Sequence, residues 1–105
     1  MEPTPPALRF ADAARRLSAA ARGAGLVAPA FRSPPRLSGA ARTIRRYPGG
    51  AVVSVRLRGR AFGDVAADMV EGVLEANGVE GEARVRLRAA FREAVAPGPT
   101  RRVAA

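Results

Sequence analysis

The spacing of apolar residues along the chain predicts three helices. Over residues 7–22, 61–76 and 81–95, apolar side chains return every three or four positions, which is the period of one helix face. The middle segment has the clearest pattern, because four carboxylates at spacings of four, three and four lie on the side away from its apolar stripe. Glycines after the first segment and an Asn-Gly pair after the second are typical of helix ends.

An alternation of apolar and polar residues predicts a β-hairpin between the first and second helices. Residues 42–47 and 51–58 alternate, and the Pro-Gly-Gly between them is a turn signal. A two-residue loop at Gly49-Gly50 would place Ile44 opposite Val55 and gather the apolar side chains on one face. A three-residue loop would mix the two faces, so the pattern favours the shorter loop.

The two faces of this hairpin differ in chemistry. The inner face is apolar and carries Ile44, Val53, Val55 and Leu57. The outer face is polar and basic, and its residues are Thr43, Arg45, Tyr47, Val52, Ser54, Arg56 and Arg58.

Together these elements predict an α+β domain. It would contain a small antiparallel sheet of two or three strands, with one N-terminal helix and a C-terminal αα-hairpin packed on one face. The third strand depends on residues 26–32, where Pro29 permits only an edge strand or extended coil. We expect a single domain over residues 7–96, a flexible proline-rich tail over 1–6 and a flexible C-terminal tail over 97–105.

The charge of the chain is strongly positive and unevenly distributed. Its 105 residues include 18 arginines, no lysine and nine acidic residues, which gives a net charge of +9. Residues 1–60 contain twelve arginines and two acids, whereas the remainder contains six arginines and seven acids. GC-rich codon usage explains arginine in place of lysine but not the excess of positive charge. A field of one sign over half of a small protein attracts anions.

The composition excludes several kinds of site. Without cysteine there is neither a disulfide nor a thiolate metal site, and without histidine the commonest general base and metal ligand is missing. The serines have no histidine or lysine to activate them, so we expect no enzyme activity and no cofactor. No apolar run is long enough to span a bilayer and the N-terminus lacks a secretory signal pattern, which predicts a cytoplasmic protein without a membrane partner.

The outer face of the hairpin is the first candidate binding surface. Guanidinium groups of Arg45 and Arg56 match phosphate oxygens, and the ring of Tyr47 can stack on a base. An exposed strand face must be polar in any case. Ordinary exposed strands mix charges, however, and no carboxylate occurs between Asp12 and Asp64.

The residues before the second helix form another candidate surface. Arg58 and Arg60 flank Gly59, next to the free N–H groups of a helix start, which attract anions. A strand-to-helix turn that needs a glycine explains Gly59 equally well. The order helix, strands, helix resembles the layout of the double-stranded-RNA-binding domain, whose contacts include the start of its last helix. "RGRAF" stands at that place here, without the lysines of that family.

The carboxylate stripe of the second helix has two interpretations. It could hold Mg²⁺, or it could pair with Arg84, Arg88 and Arg92 of the third helix. No second acidic helix completes a metal cage, so a solvated face or ion pairing is favoured, and Asp68 and Arg88 are an expected pair. The acidic helix also disfavours a helix-turn-helix interpretation, because it would lie close to phosphates.

The sequence therefore predicts a small nucleic-acid-binding protein that contacts the phosphate backbone of DNA or RNA. The alternative is a non-enzymatic interaction protein whose basic face docks an acidic protein partner or a second copy of itself. The predicted contact residues are Arg45, Arg56, Arg58, Arg60 and Tyr47, assisted by Arg32 and Arg36 on the preceding loop.

Overall fold

The structure, a computed structural model, describes residues 6–37 and 39–96. Its elements are α1 (Pro6–Gly23), β1 (Ala30–Arg32), β2 (Arg42–Tyr47), β3 (Gly50–Val55), α2 (Phe62–Ala76) and α3 (Gly81–Val95). The α+β class and the order of the elements are confirmed. The tails predicted over 1–6 and 97–105 lie outside the described residues, except that Pro6 already belongs to α1.

The sheet is mixed, with the strand order β1-β3-β2. β2 and β3 are antiparallel, as the hairpin pattern predicts, whereas β1 runs parallel to β3. β1 begins directly after Pro29 and lies on an edge, where a residue without an N–H is tolerated. Residues 26–32 thus contain a strand, but only their last three residues belong to it.

The register of the hairpin differs from the predicted one by two residues. Pro48 and Gly49 form the loop, and Ile44 pairs with Val53 rather than with Val55. The proline explains the difference, because its fixed φ suits the first central position of a turn and it has no N–H for the ladder. Since the shift is an even number of residues, each side chain keeps its predicted face.

Helix α2 is the central element of the core. It packs against β2 and β3 on one side and against α1 and α3 on others. Its predicted apolar stripe is confirmed, since seven of its fifteen residues are buried: Val65, Ala66, Met69, Val70, Gly72, Val73 and Leu74. Phe10 and Leu17 of α1 and Phe91 of α3 complete this core, whereas Ala90, which the periodicity also turns inward, is exposed.

Gly72 lets α2 lie close to the sheet. A Cβ atom at this position would lie 2.5 Å from Cγ1 of Val53. Val53 is fully buried, and its branched side chain has little rotational freedom. The absence of a side chain at position 72 therefore sets the distance between helix and sheet.

The C-terminal end of α2 is fastened to the linker before β1. The Nδ2 group of Asn77 donates to the carbonyl of Val27, and Oδ1 accepts from the N–H of Val27, both at 2.9 Å. Gly78 follows with a φ of +67°, which ends the helix as the Asn-Gly pair predicts. The same pair therefore stops the helix and positions the chain that enters β1.

Gly72→Ala should destabilise the protein, because the new methyl group overlaps Val53 in a fixed core. Overpacking costs about 1–3 kcal/mol, and the better helix propensity of alanine offsets about 1 kcal/mol. We expect a net loss of up to about 2 kcal/mol in urea denaturation.

The control for this substitution is Gly63→Ala in the same helix. A Cβ atom there meets nothing within 4 Å. This variant should be at least as stable as the parent protein. Equal stability of the two variants would contradict the close approach of α2 to β3.

Candidate nucleic-acid interface

Two groups among the arginines of the described chain bear on ligand binding, and the carboxylates of α2 define the first. Oδ2 of Asp68 lies 2.6 Å from Nη2 of Arg60, and Oδ1 lies 3.4 Å from Nη1 of Arg42. Nη2 of Arg42 also lies 2.6 Å from Oε2 of Glu75. The β2 strand and the turn before α2 are thereby joined to one edge of the helix.

The same network continues to α3. Nη2 of Arg84 lies 2.8 Å from Oε1 of Glu71 and 3.4 Å from Oε2 of Glu75. Nε of Arg88 lies 2.5 Å from Oε2 of Glu71. Four arginines and three carboxylates thus form one continuous ion-pair network, which we call the α2 network: Arg42, Arg60, Arg84, Arg88, Asp68, Glu71 and Glu75.

Pairing between the acidic stripe and α3 is confirmed, but the expected partners were partly wrong. Arg88 pairs with Glu71 instead of Asp68. The step of three positions between these carboxylates falls roughly 60° short of a full turn of the helix, so Asp68 faces the sheet while Glu71 faces α3. Arg92 makes no ion pair within the described ranges.

The ionisation of Glu71 reflects this network. The hydrogen bond from Arg88 is the main cause that lowers the pKa of Glu71 from 4.5 to about 2; burial acts in the opposite direction, and Arg84 lowers it further. A carboxylate with a lowered pKa stabilises the fold above its unfolded pKa and loses that contribution as the pH falls. The contribution of Glu71 to stability is therefore lost as the pH falls from about 5 to about 2.

The α2 network also bears on the Mg²⁺ interpretation of the acidic stripe. Arginine nitrogens pair with carboxylate oxygens of Asp68, Glu71 and Glu75. Asp64 lies apart from these residues, in the first turn of α2. Across the part of the chain that the structure describes, no cluster of three or more side chains is placed to hold a metal ion. The chemistry of this edge is ion pairing between elements.

Arg60 belongs to the α2 network, although the sequence predicts a phosphate contact for it. Its side chain is only 15% exposed, and it donates to the backbone carbonyls of Arg56 at 3.0 Å and Asp64 at 3.3 Å. Gly59 has a φ of +76°, so the turn itself requires a glycine. Arg60 closes the strand-to-helix turn, and we do not assign it to the nucleic-acid interface.

The second group of arginines lies on the sheet face that α2 does not cover, which we call the outer face. Strand pairing places Arg32 beside Ser54 and Ser54 beside Thr43, so that these three form one row across the sheet. The next row consists of Ala30, Val52 and Arg45.

The outer face continues beyond these two rows. At one end the N–H of Arg56 donates to the carbonyl of Ala41 at 3.1 Å, which extends the β2–β3 ladder by one row and brings Arg56 onto the same face. At the other end Tyr47 pairs with Gly50 beside the loop. β3 ends at Val55, three residues earlier than predicted, so Arg58 lies in the turn that follows.

The predicted contact residues other than Arg60 are open to solvent. Arg32, Arg36, Arg45 and Arg58 are exposed and Arg56 is half-buried. In the described ranges none of these five forms an ion pair, and no strand residue is acidic. Tyr47 is 53% exposed. Arg36 lies on the loop after β1, outside the rows of the outer face.

Two arginines of β2 have a structural role that the sequence reasoning missed. Arg42 joins the α2 network, and Nη2 of Arg46 donates to the carbonyl of Glu75 at 2.9 Å. A strand alternates its side chains between faces, so both residues share the face of Ile44. That alternation, read together with the acidic stripe of α2, was the signal that would have identified them.

Comparisons with protein-family models, curated proteins and solved structures give no match for this chain. Within the described residues, no helix is long and apolar enough to cross a membrane. The function is therefore inferred from the distribution of charge and from the geometry of the outer face.

Glu71→Gln should lower the free energy of unfolding at pH 7. It should also make that free energy less dependent on pH in the acidic range. The amide loses the ionic bonds to Arg84 and Arg88, and we expect a loss of about 1–2 kcal/mol. Below about pH 5 the wild type should lose stability as Glu71 becomes protonated, whereas the variant has nothing to protonate there. Urea denaturation at neutral and acidic pH measures both effects.

The control for this substitution is Glu82→Gln. Glu82 is an exposed carboxylate in the first turn of α3 and makes no ion pair with any described residue. This variant should keep the acid dependence of the wild type. If Glu71→Gln also keeps it, the lowered pKa of Glu71 does not stabilise the fold.

Proposed function

We propose that this protein binds nucleic acid through the phosphate backbone, and that the outer face of the sheet is the contact surface. One observation carries the proposal. The carboxylates of α2 hold the arginines that face the helices, whereas the arginines of the outer face have no acidic neighbour on any strand. Repulsion among them is relieved when a polyanion binds.

Each outer-face residue has a chemical role in this proposal. Arg32, Arg45 and Arg56 supply guanidinium groups to phosphate oxygens, and bidentate geometry makes such contacts strong. Arg36 and Arg58 extend the positive field beyond the rows of the sheet. Neutralising about four phosphates gives a log–log slope of affinity against salt of roughly −3 to −4.

The composition of the outer face favours a polyanion over an acidic protein partner. Protein–protein interfaces have an apolar core from which charged residues are depleted. Here the centre of the face carries only half-buried Val52, with the hydroxyls of Ser54 and Thr43 beside it. Arginines surround this centre, so the surface offers many charged contacts and little apolar area. Backbone contacts of this kind apply to DNA and RNA alike.

The Arg45→Ala, Arg56→Ala double variant should weaken binding to oligonucleotides without loss of stability. Both side chains lie outside the α2 network, so their removal leaves the fold intact. Fluorescence anisotropy between about 50 and 200 mM salt should show a slope flatter by about one unit for each lost contact.

The matched control is the Arg22→Ala, Arg86→Ala double variant. It removes the same charge from exposed positions on α1 and α3. This control should bind nearly as well as the wild type. Equal losses in the two double variants would mean that total charge, and not the outer face, determines binding. If the wild type retains no oligonucleotide at low salt but binds polyglutamate, the acidic protein partner replaces nucleic acid.

A further inference from the structure

We infer that the outer face binds single-stranded rather than double-stranded nucleic acid, with one base stacked on Tyr47. This inference rests on the proposed function and specifies the partner of the same surface. Three features of the outer face support it. They are the width of the strip between its two outer strands, which we call its floor, the position of its aromatic ring, and its hydroxyl groups.

The floor of the outer face is narrow and made of small side chains. The central strand β3 contributes Gly50, Val52 and Ser54 to this face, and Arg56 follows directly after the strand. The arginines beside it, Arg32 and Arg45, lie on the two outer strands. Two strand spacings separate those strands, roughly 10 Å. A single strand fits along such a floor with one arginine on each side.

A duplex fits this surface poorly. The major groove of B-DNA, about 12 Å wide, admits a helix or a two-stranded ribbon. Here three strands lie side by side, and α2 covers the back of β2 and β3. The sheet can therefore touch a duplex only from outside, along the phosphates, where the base faces are hidden by stacking.

Tyr47 stands at the hairpin end of this floor, where it can meet an unstacked base. It is 53% exposed although its aromatic ring is largely apolar. It also borders an open groove of about 240 Å³, which lies toward the C-terminal end of α2 and is lined by Val27, Pro29, Arg46 and Asn77 among others. An exposed ring is suited to a splayed base, and bases in a single strand are free to stack on aromatic side chains.

The hydroxyl groups supply the remaining polar contacts. Thr43 and Ser54 are Cα partners on neighbouring strands, in the row that ends at Arg32. Both are half-buried. Thr43 lies four positions from Tyr47 at one end of the ladder, and Ser54 lies two positions from Arg56 at the other end. A nucleic-acid strand that runs along the floor from Arg56 therefore passes the two hydroxyls, then Arg45, and finally the ring of Tyr47.

The sequence provides its own probe for this inference. Tyr47 is the only tyrosine, and the chain has no tryptophan. Intrinsic tyrosine fluorescence therefore reports on position 47 alone. The experiment titrates the full chain with a single strand of about 12 nucleotides, within the site sizes of small single-strand-binding folds, and with the same strand annealed to its complement.

We expect tighter binding to the single strand, with quenching of the tyrosine signal. Tyr47→Leu should lose roughly 5- to 150-fold in single-strand affinity, the range that one base stacked on an aromatic side chain contributes. Tyr47→Phe keeps the ring and should restore affinity. Neither substitution should change the salt slope, because neither removes a charge. Thermal melting should show that these substitutions at an exposed position leave the fold intact.

The other outcomes separate this inference from the proposed function. Equal or tighter duplex binding, without quenching and without an effect of Tyr47→Leu, overturns the single-strand inference and leaves nucleic-acid binding in place. Failure of both oligonucleotides to bind at low salt overturns the proposed function, and the inference with it.

Discussion

The ion pairs along one edge of α2 are the interaction on which the rest of the structure depends. α2 is packed between the sheet and the other two helices, so its carboxylates stand in partly buried surroundings. Ion pairs in such places are screened less than exposed ones, so they stabilise the contacts between elements. Asp68 is paired from the sheet side and Glu71 from α3, so the network joins elements that are distant in sequence.

This pairing also decides which arginines remain available for a ligand. β2 turns Arg42 and Arg46 toward α2, and the alternation of the strand turns Arg45 away from it. The acidic residues of the described chain belong to the helices and their ends, so the outer face has positive charge without compensation. The same strand thus serves stability on one face and, in our proposal, polyanion binding on the other.

Much of this architecture could be predicted from the sequence, because it depends on local periodicity. The helices, the faces of the hairpin and the stop at Asn77-Gly78 follow from patterns within a few residues. The register required weighing Pro48 against a Gly-Gly turn, and glycine preference alone gave the wrong loop. Arg60 was predicted to contact phosphate because its spacing of four and eight residues from Asp64 and Asp68, which places all three on one side of α2, was not weighed. The pairing of Arg88 with Glu71 rather than with Asp68 depends on how α2 and α3 pack, which local periodicity does not specify.

The most direct test of the account is an NMR titration of the ¹⁵N-labelled protein with a short oligonucleotide at low salt. We expect the largest amide shift changes in β1, in β2 and in the segment from Val52 to Arg58, with the amides of α2 and α3 almost unmoved. This result would place the ligand on the outer face while the α2 network stays intact. Largest changes along α3, around Arg84 and Arg88, would contradict the account, because the arginines assigned to the fold would then be the ones that bind.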